Sequence, residues 1–370
     1  MTEQMNIQET IDRGLDFLVL RQLPSGSFDS YCTESVGCEN DAMVPIEDEQ
    51  NYSALSRDVS LVFPALLIGS SLIPLRGYKK ADRMLKKIVG FVNGNRDPGG
   101  IWHYCQRNHP FYKVIPNDID DTAYALAFLR DMGETMDGET RIILDHKRED
   151  GLFYTFFTWR LKWNPSPMYW ISGRRELRYP LRNLFFWRAR MIERHDVAMG
   201  VNANVLYLLG KRRETEPVVK ALINTILDER ESSCDTYYRN PFTIYYQISR
   251  NYREGIVELH PVVEPITRRI LEKSREDGSF NGNAHDTAHA VCTLLDFGVE
   301  GERVEKAVGY LVAHQSCDGS WPRKIYYSGS YGNIVAGWGG EEMTTSLCLE
   351  AIMRYHDKKD ERRTTSNATT

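Results

Sequence analysis

The sequence predicts an all-α chain folded as a single α/α barrel of about six outer–inner helix pairs. Three observations carry this. Five segments share a Gly-x-aromatic ending: 22–28, 96–102, 147–153, 274–280 and 315–321, closing on Phe28, Trp102, Phe153, Phe280 and Trp321. Each follows a stretch with apolar residues at helical spacing, so its glycine reads as a helix stop. Each is followed, after a variable loop, by a second helix that opens on acids, Asn or Thr and is apolar nearly all round.

The elements follow in order. The first outer helix, 6–22, rests on Leu15, Phe17, Leu18 and Leu20, and the first inner one, 54–73, is entered at Arg57-Asp58. The second pair spans 78–94 (Leu85, Ile88, Val89, Phe91, Val92) and 118–132, which opens Asp118-Ile119-Asp120-Asp121-Thr122-Ala123. The third spans 138–147 and 196–210, the fourth 212–229 and 240–253. The fifth spans 260–273 and 284–297, opening His285-Asp286-Thr287-Ala288-His289. The sixth spans 302–314 (Val304, Ala307, Val308, Leu311) and 341–356, from Glu341-Glu342. Strand signals are negligible. A regular series of helical hairpins argues one closed domain over residues 1–357, with 358–370 as a disordered tail.

Composition narrows the function. The chain has 370 residues, 42% apolar and 26% charged, enough for a substantial core. A net charge of −5 speaks against a nucleic-acid binder. The N-terminus lacks a secretion pattern, and the longest apolar stretch, Ser60–Leu75, is short and broken by Pro64, Gly69 and Pro74. Seven cysteines without a CxxC suggest neither a zinc knuckle nor a disulfide framework. The expected location is a reducing cytoplasm.

Asp118, Asp120 and Asp121 crowd one helix start. Mutual repulsion and burial favour a held proton, and the helix N-terminus opposes it. A carboxylic acid kept neutral in a dry aromatic pocket is a Brønsted acid. A capped surface helix with solvated acids is the plain alternative. A metal site calls for a second, facing acidic cluster, and position 124 is Tyr where a DDxxD motif needs Asp.

Asp118–Ala123 resembles the DxDDTA motif of the class II terpene cyclases, the superfamily of squalene–hopene cyclase and copalyl diphosphate synthase. Gln315–Trp321 resembles that superfamily's QW motif, Q-x3-G-x-W, in full, and the other four copies are degenerate. The resemblance spans essentially the whole chain, and single-domain length looks like the monodomain meroterpenoid cyclases. It implies Asp120 as the general acid that protonates a terminal alkene or epoxide, with Asp118 and Asp121 in support. In squalene–hopene cyclases a His hydrogen-bonds the acid. The matching segment here is Val201–Leu206, and Asn204 takes that place. A core-edge Asn bonded to backbone is the alternative for Asn204.

Alkene protonation makes a cation that water would trap, and aromatic faces stabilise it without attacking it. The candidate pocket positions are Trp102, Tyr104, Tyr237, Tyr238, Tyr245, Trp321, Tyr326, Tyr327 and Trp338, with core packing as the alternative for each. Multidomain relatives place the site between domains, so a lone barrel must close its own mouth. The lid candidate is the insert 159–194, with Trp159, Trp163, Trp170, Trp187 and nine Arg or Lys against Glu176 and Glu193. One reading makes it a head-group site built from Arg174, Arg175, Arg178 and Arg182. Another makes it a peripheral membrane patch, and a third a solvated basic loop. Glu47–Asn51 matches the EDxxN pattern that holds Mg²⁺ and diphosphate in copalyl-type enzymes, and an acidic capping loop is its plainer reading.

The expected function is a protonation-initiated cyclase acting on a geranylgeranylated aromatic acid. The same class acting on geranylgeranyl diphosphate comes second, and an α/α-barrel carbohydrate-active enzyme third. No resident metal or cofactor is expected, with Mg²⁺ only for a diphosphate substrate. The expected partner is a lipophilic prenylated small molecule, with no nucleic acid and no obligate protein partner.

Overall fold

The computed structural model describes residues 6–36, 53–58, 60–135, 140–160, 164–188, 193–331 and 334–368. In chain order these form α1 (Ile7–Arg21), β1 (Ser30–Val36), β2 (Ser53–Asp58), α2 (Phe63–Leu72), α3 (Lys79–Gly94), α4 (Ile119–Asp131) and α5 (Arg141–Asp145). Then follow α6 (Pro167–Arg178), α7 (Pro180–Arg188), α8 (Met199–Leu209), α9 (Glu216–Leu227), α10 (Pro241–Arg253), α11 (His260–Glu272) and α12 (Ala284–Asp296). The chain ends with α13 (Glu302–Ala313), β3 (Ile325–Tyr331), β4 (Ile334–Gly339) and α14 (Glu341–Ala368).

The protein is mostly helical. Helices α2, α4, α8, α10, α12 and α14 pack each on the next, and α14 returns to α2, so they close a ring. Their apolar bodies are buried on every side, as all nine of Ala123 to Leu129 with Asp121 and Thr122 are in α4. Helices α1, α3, α9, α11 and α13 back the ring, each with an amphipathic face.

The Gly-x-aromatic turns stitch the two sets. Trp102 Nε1 donates to Val92 O and Trp321 Nε1 to Leu311 O, both at 2.8 Å, folding each aromatic onto the helix it terminates. The backbone N–H of the aromatic then reaches the next inner helix: Trp102 to Thr122 Oγ1, Phe153 to Asn202 Oδ1, Phe280 to Thr287 Oγ1 and Trp321 to Thr345 Oγ1. Gln315 Nε2 donates to Thr10 O at 2.9 Å and Gln22 Nε2 to Met84 O at 3.1 Å, linking neighbouring outer helices. Glycine is required in the turn. At Gly319, φ is +92° and a Cβ would lie 2.3 Å from Arg13 O.

Several expectations are corrected. The chain is not purely helical: β2-β1-β4-β3 form an antiparallel four-stranded sheet. β1 pairs with β4, Tyr31 opposite Gly339, about 300 positions along the chain, a pairing that local periodicity does not reveal. The inner helix expected over 54–73 begins as β2 and becomes helical only at Phe63, where Pro64 takes a first-turn position. The outer helix expected over 138–147 is the single turn of α5. Helix α14 runs on to Ala368, through most of the segment expected as a tail. Among the described residues, no helix is long and apolar enough to cross a membrane.

Candidate active site

Helix α4 starts at the cavity floor. Asp118 is its N-cap and accepts the N–H of Asp121 at 2.7 Å. This is the capping role, and it brings the Asp118 and Asp121 carboxyls together. Both are raised by burial, Asp121 the more, because it also faces the negative charges of Asp118 and Asp120. Burial and mutual repulsion thus both favour a proton held between the two carboxyls.

Asp120 points inward from the first turn. Asn204 Nδ2 donates to its Oδ1 at 2.7 Å, and the Tyr238 hydroxyl donates to its Oδ2 at 2.5 Å. Burial and then the Asp118 charge push the Asp120 pKa up to about 7, and the two donors restrain the rise. One hydrogen bond per oxygen leaves a lone pair for an acidic proton, so at neutral pH the group can give a proton and then hold the resulting charge.

The Asn204 amide is itself held. Arg250 Nη2 donates to Asn204 Oδ1 at 2.6 Å. A guanidinium only donates, so the oxygen must face Arg250 and the NH₂ must face Asp120. Arg250 is buried among the rings of Tyr207, Tyr246 and Tyr124, at 4.7, 5.1 and 5.2 Å from their centroids. This keeps a cation one residue behind the acid. Behind Tyr238, Asp235 accepts three backbone N–H groups, from Tyr237, Tyr238 and Gly200. It thereby caps α8, whose own N-cap position is Ala198.

The three acids open into a mostly apolar cavity. Tyr104, Tyr237, Tyr238, Tyr327 and Trp338 line it, joined by Phe63 and Phe156. Tyr327 stacks on Trp338 at 5.8 Å, Phe63 stands edge-on to Tyr327 at 5.2 Å, and the Tyr104 and Tyr327 hydroxyls are 3.2 Å apart. The sheet supplies Tyr327, Ser328, Gly329 and Trp338, so β3 and β4 cover the acids. Among the described residues lining the cavity there is no Lys or Arg.

Other expected positions lie elsewhere. Trp102 and Trp321 do not line the cavity; they are the fully buried stitches of their turns. Tyr245 donates to Glu231 at 2.6 Å beside a different surface cleft. Tyr326 is buried against His285 and His289. The insert folds as α6 and α7, and none of its described residues lines the cavity. Arg174, Arg178 and Arg182 are exposed, the last two beside the Tyr179 ring. The Arg175 side chain, Trp163 and the Glu47–Asn51 motif lie outside the described residues. Among those described, no group of three His, Cys, Asp or Glu is placed to hold a metal ion.

Sequence reasoning missed Arg250, Phe63 and Phe156. Arg250 carried a signal: a charged residue inside the buried stretch Phe242–Asn251 asks for a buried partner.

No family model matches the chain. A 105-residue stretch is 33% identical to ent-copalyl diphosphate synthase 1 of Oryza sativa subsp. japonica, taking in 27% of this chain and only 11% of that protein's length. The type II terpene cyclase MstE from Scytonema superposes in an Asp-to-Asn variant in complex with geranylgeranyl dihydroxybenzoate, its substrate. That match has a TM-score of 0.65 and 13% identity over 94% of this chain and 96% of that one. The ent-copalyl diphosphate synthase from Streptomyces platensis gives a TM-score of 0.52 at 17% identity, over 79% of this chain and 50% of that one. A possible GH105 family member from Salmonella enterica gives 0.51 at 11% identity, over 97% of each chain. Two of these three folds belong to terpene cyclases, and the higher score is with MstE, matched over nearly its whole length: the chain has the fold of the type II terpene cyclases.

Proposed function

We propose that the chain is a protonation-initiated terpene cyclase whose ring of inner helices, backed by the outer set, is an α/α barrel built from the QW-type turns. The observation that carries this reading is Asp120, a carboxyl with a pKa near 7, held from both oxygens at the floor of an aromatic cavity. Asp120 gives its proton to the terminal alkene of a linear polyprenyl chain. The π bond supplies the electron pair for the new C–H bond, and the cation passes along the chain as each double bond attacks the last. The faces of Tyr104, Tyr237, Tyr327 and Trp338 attract the charge without offering a good nucleophile. Tyr238, Asn204 and, through Asn204, Arg250 steady the carboxylate left behind.

The substrate we propose is a geranylgeranylated aromatic acid of the dihydroxybenzoate type. MstE, whose fold is similar over nearly the same length, is bound to such a molecule. No metal is then needed, and Mg²⁺ enters only with a diphosphate substrate. A sugar-cleaving role asks for carboxylates on opposite sides of a bond, and Asp118, Asp120 and Asp121 share one helical turn. The exposure of Leu181 and Leu184 near Arg178 and Arg182 favours an outward face for the insert over a head-group site.

The test is a product assay. Purified protein is incubated without metal with geranylgeranylated dihydroxybenzoate, and separately with geranylgeranyl diphosphate and Mg²⁺. An isomer of unchanged mass from the aromatic substrate, absent with Asp120→Asn, is the expected result. No isomer from either substrate, or an isomer that survives Asp120→Asn, refutes the reading.

A further inference from the structure

Helices α6 and α7 share one amphipathic plan. In α6, Tyr169 and Gly173 face the protein, Gly173 against the Trp159 side chain, while Trp170, Arg174 and Arg178, spaced four apart, are exposed. In α7, Asn183 and Phe186 are buried and Trp187 is half-buried, while Leu181, Arg182, Leu184 and Arg188 are exposed. Leu181 is 79% exposed and Leu184 49%. Seven large apolar side chains stand out this far among the described residues, and three of them, Trp170, Leu181 and Leu184, fall on this helix pair. The other four, Leu20, Phe111, Leu227 and Val257, lie singly on separate elements. A lone exposed Leu is ordinary on a soluble surface, and a cluster asks for a partner.

The charge of this face is as one-sided as its hydrophobicity. Among the described residues, no acid pairs with Arg174, Arg178, Arg182 or Arg188. Arg178 and Arg182 lean on the Tyr179 ring instead, at 5.6 and 6.0 Å from its centroid. The sequence over 159–194 places nine Arg or Lys against Glu176 and Glu193, in a chain whose net charge is −5. Guanidiniums interleaved with leucines and an indole on one helical face match an anionic lipid surface, where the cations meet phosphates and the apolar groups reach the acyl boundary. A second copy of the chain fits less well, because a two-fold contact would set the arginine row against itself.

The inner side of the pair reaches the cavity wall. Trp187 stands edge-on to Phe156 at 5.9 Å, and Phe156 lines the aromatic cavity that holds the acids. Two side chains, Trp187 and Phe156, thus connect α7 to that cavity.

We propose that α6 and α7 seat the protein on an anionic lipid bilayer, with Trp170, Leu181 and Leu184 in the interface and the arginines on lipid phosphates. The docking stands without the cyclase reading. Its use, drawing a prenylated substrate from the lipid to the cavity beside α7, rests on that reading.

The experiment is co-sedimentation of the purified full chain with vesicles of phosphatidylcholine alone and of phosphatidylcholine with roughly one-third phosphatidylglycerol, at about 0.1 and 0.5 M salt. Two double variants accompany the wild type: Leu181→Ser with Leu184→Ser, and Arg178→Glu with Arg182→Glu. All four positions are exposed, circular dichroism checks the fold, and Arg178→Gln with Arg182→Gln serves where the charge reversal does not fold. The wild type should bind the anionic vesicles about tenfold or more tightly than the neutral ones, and less at high salt. Each double variant should lose about tenfold or more of that affinity. No binding to anionic vesicles, equal binding to both kinds, or unchanged binding in either double variant overturns the inference. So does a wild-type dimer in sedimentation velocity without lipid that the leucine pair dissolves, which would assign the face to a second copy. On geranylgeranylated dihydroxybenzoate, both variants should match the wild type with substrate in detergent micelles and fall behind it with substrate in anionic vesicles. A wild type that forms no product in either medium refutes the cyclase reading and leaves the docking to the vesicle result.

Discussion

Replacing Tyr238 with Phe removes one hydroxyl and leaves the ring. That hydroxyl donates to Asp120 Oδ2 at 2.5 Å, and its loss withdraws stabilisation from the charged form of the acid. Hydrogen bonds to a charged group contribute about 1.5–3 kcal/mol. At about 1.4 kcal/mol per pK unit, the Asp120 pKa should climb by about one to two units from its value near 7. Two consequences are separable. Wild-type turnover should hold on the acid side and fall as pH rises through about 7, because the protonated form acts. In Tyr238→Phe that alkaline limb should move up by the same one to two units. The plateau should drop by about 10- to 100-fold, because a weaker acid leaves a less stabilised carboxylate. The assay is initial rate of product formation from pH 5 to 9 with both proteins. A limb that stays in place, with a lower plateau, would refute the claim that Tyr238 sets the protonation of Asp120.

Asn204→Ala removes the other donor and strands Arg250; kcat should fall about 10- to 100-fold with KM little changed, and the melting temperature should drop. Asp120→Asn should abolish turnover and reduce the pH dependence of stability. The carboxyl binds its proton more tightly folded than unfolded, so its contribution is full below about pH 4 and is lost as pH rises through about 7. Thermal melts at pH 5 and pH 8 should therefore differ less for the variant than for the wild type. Trp321→Phe deletes the 2.8 Å bond to Leu311 O and should cost about 1–2 kcal/mol in denaturant unfolding, with product identity retained.

Local signals were readable wherever the physics is local. The glycine stops, the inner-helix caps and the acids at 118, 120 and 121 stand within a few residues of the features they govern. Asn204 was reachable only through the motif resemblance, since its partner lies 84 positions away. Tyr238 stood among the candidate aromatics, but nothing near it says that its hydroxyl meets Asp120. Trp102 and Trp321 stand among the candidate pocket aromatics in the sequence, yet the turn each one ends folds its indole onto its own outer helix and away from the cavity lining. The sheet was invisible because β1 and β4 lack aliphatic alternation and meet only when the ring closes. That closure brings Tyr327 and Trp338 over the acids, and so decides what covers the site.

Solvent deuterium provides the most direct measurement. Protein equilibrated in D₂O carries deuterium on Asp120, and cyclisation begun by that acid places it on the carbon first protonated. Mass spectrometry of the cyclised product should show one added deuterium, located at the ring formed from the terminal isoprene unit, and none in the recovered substrate. A cyclised product without deuterium would mean that the reaction does not begin with a proton from Asp120, and would contradict the account.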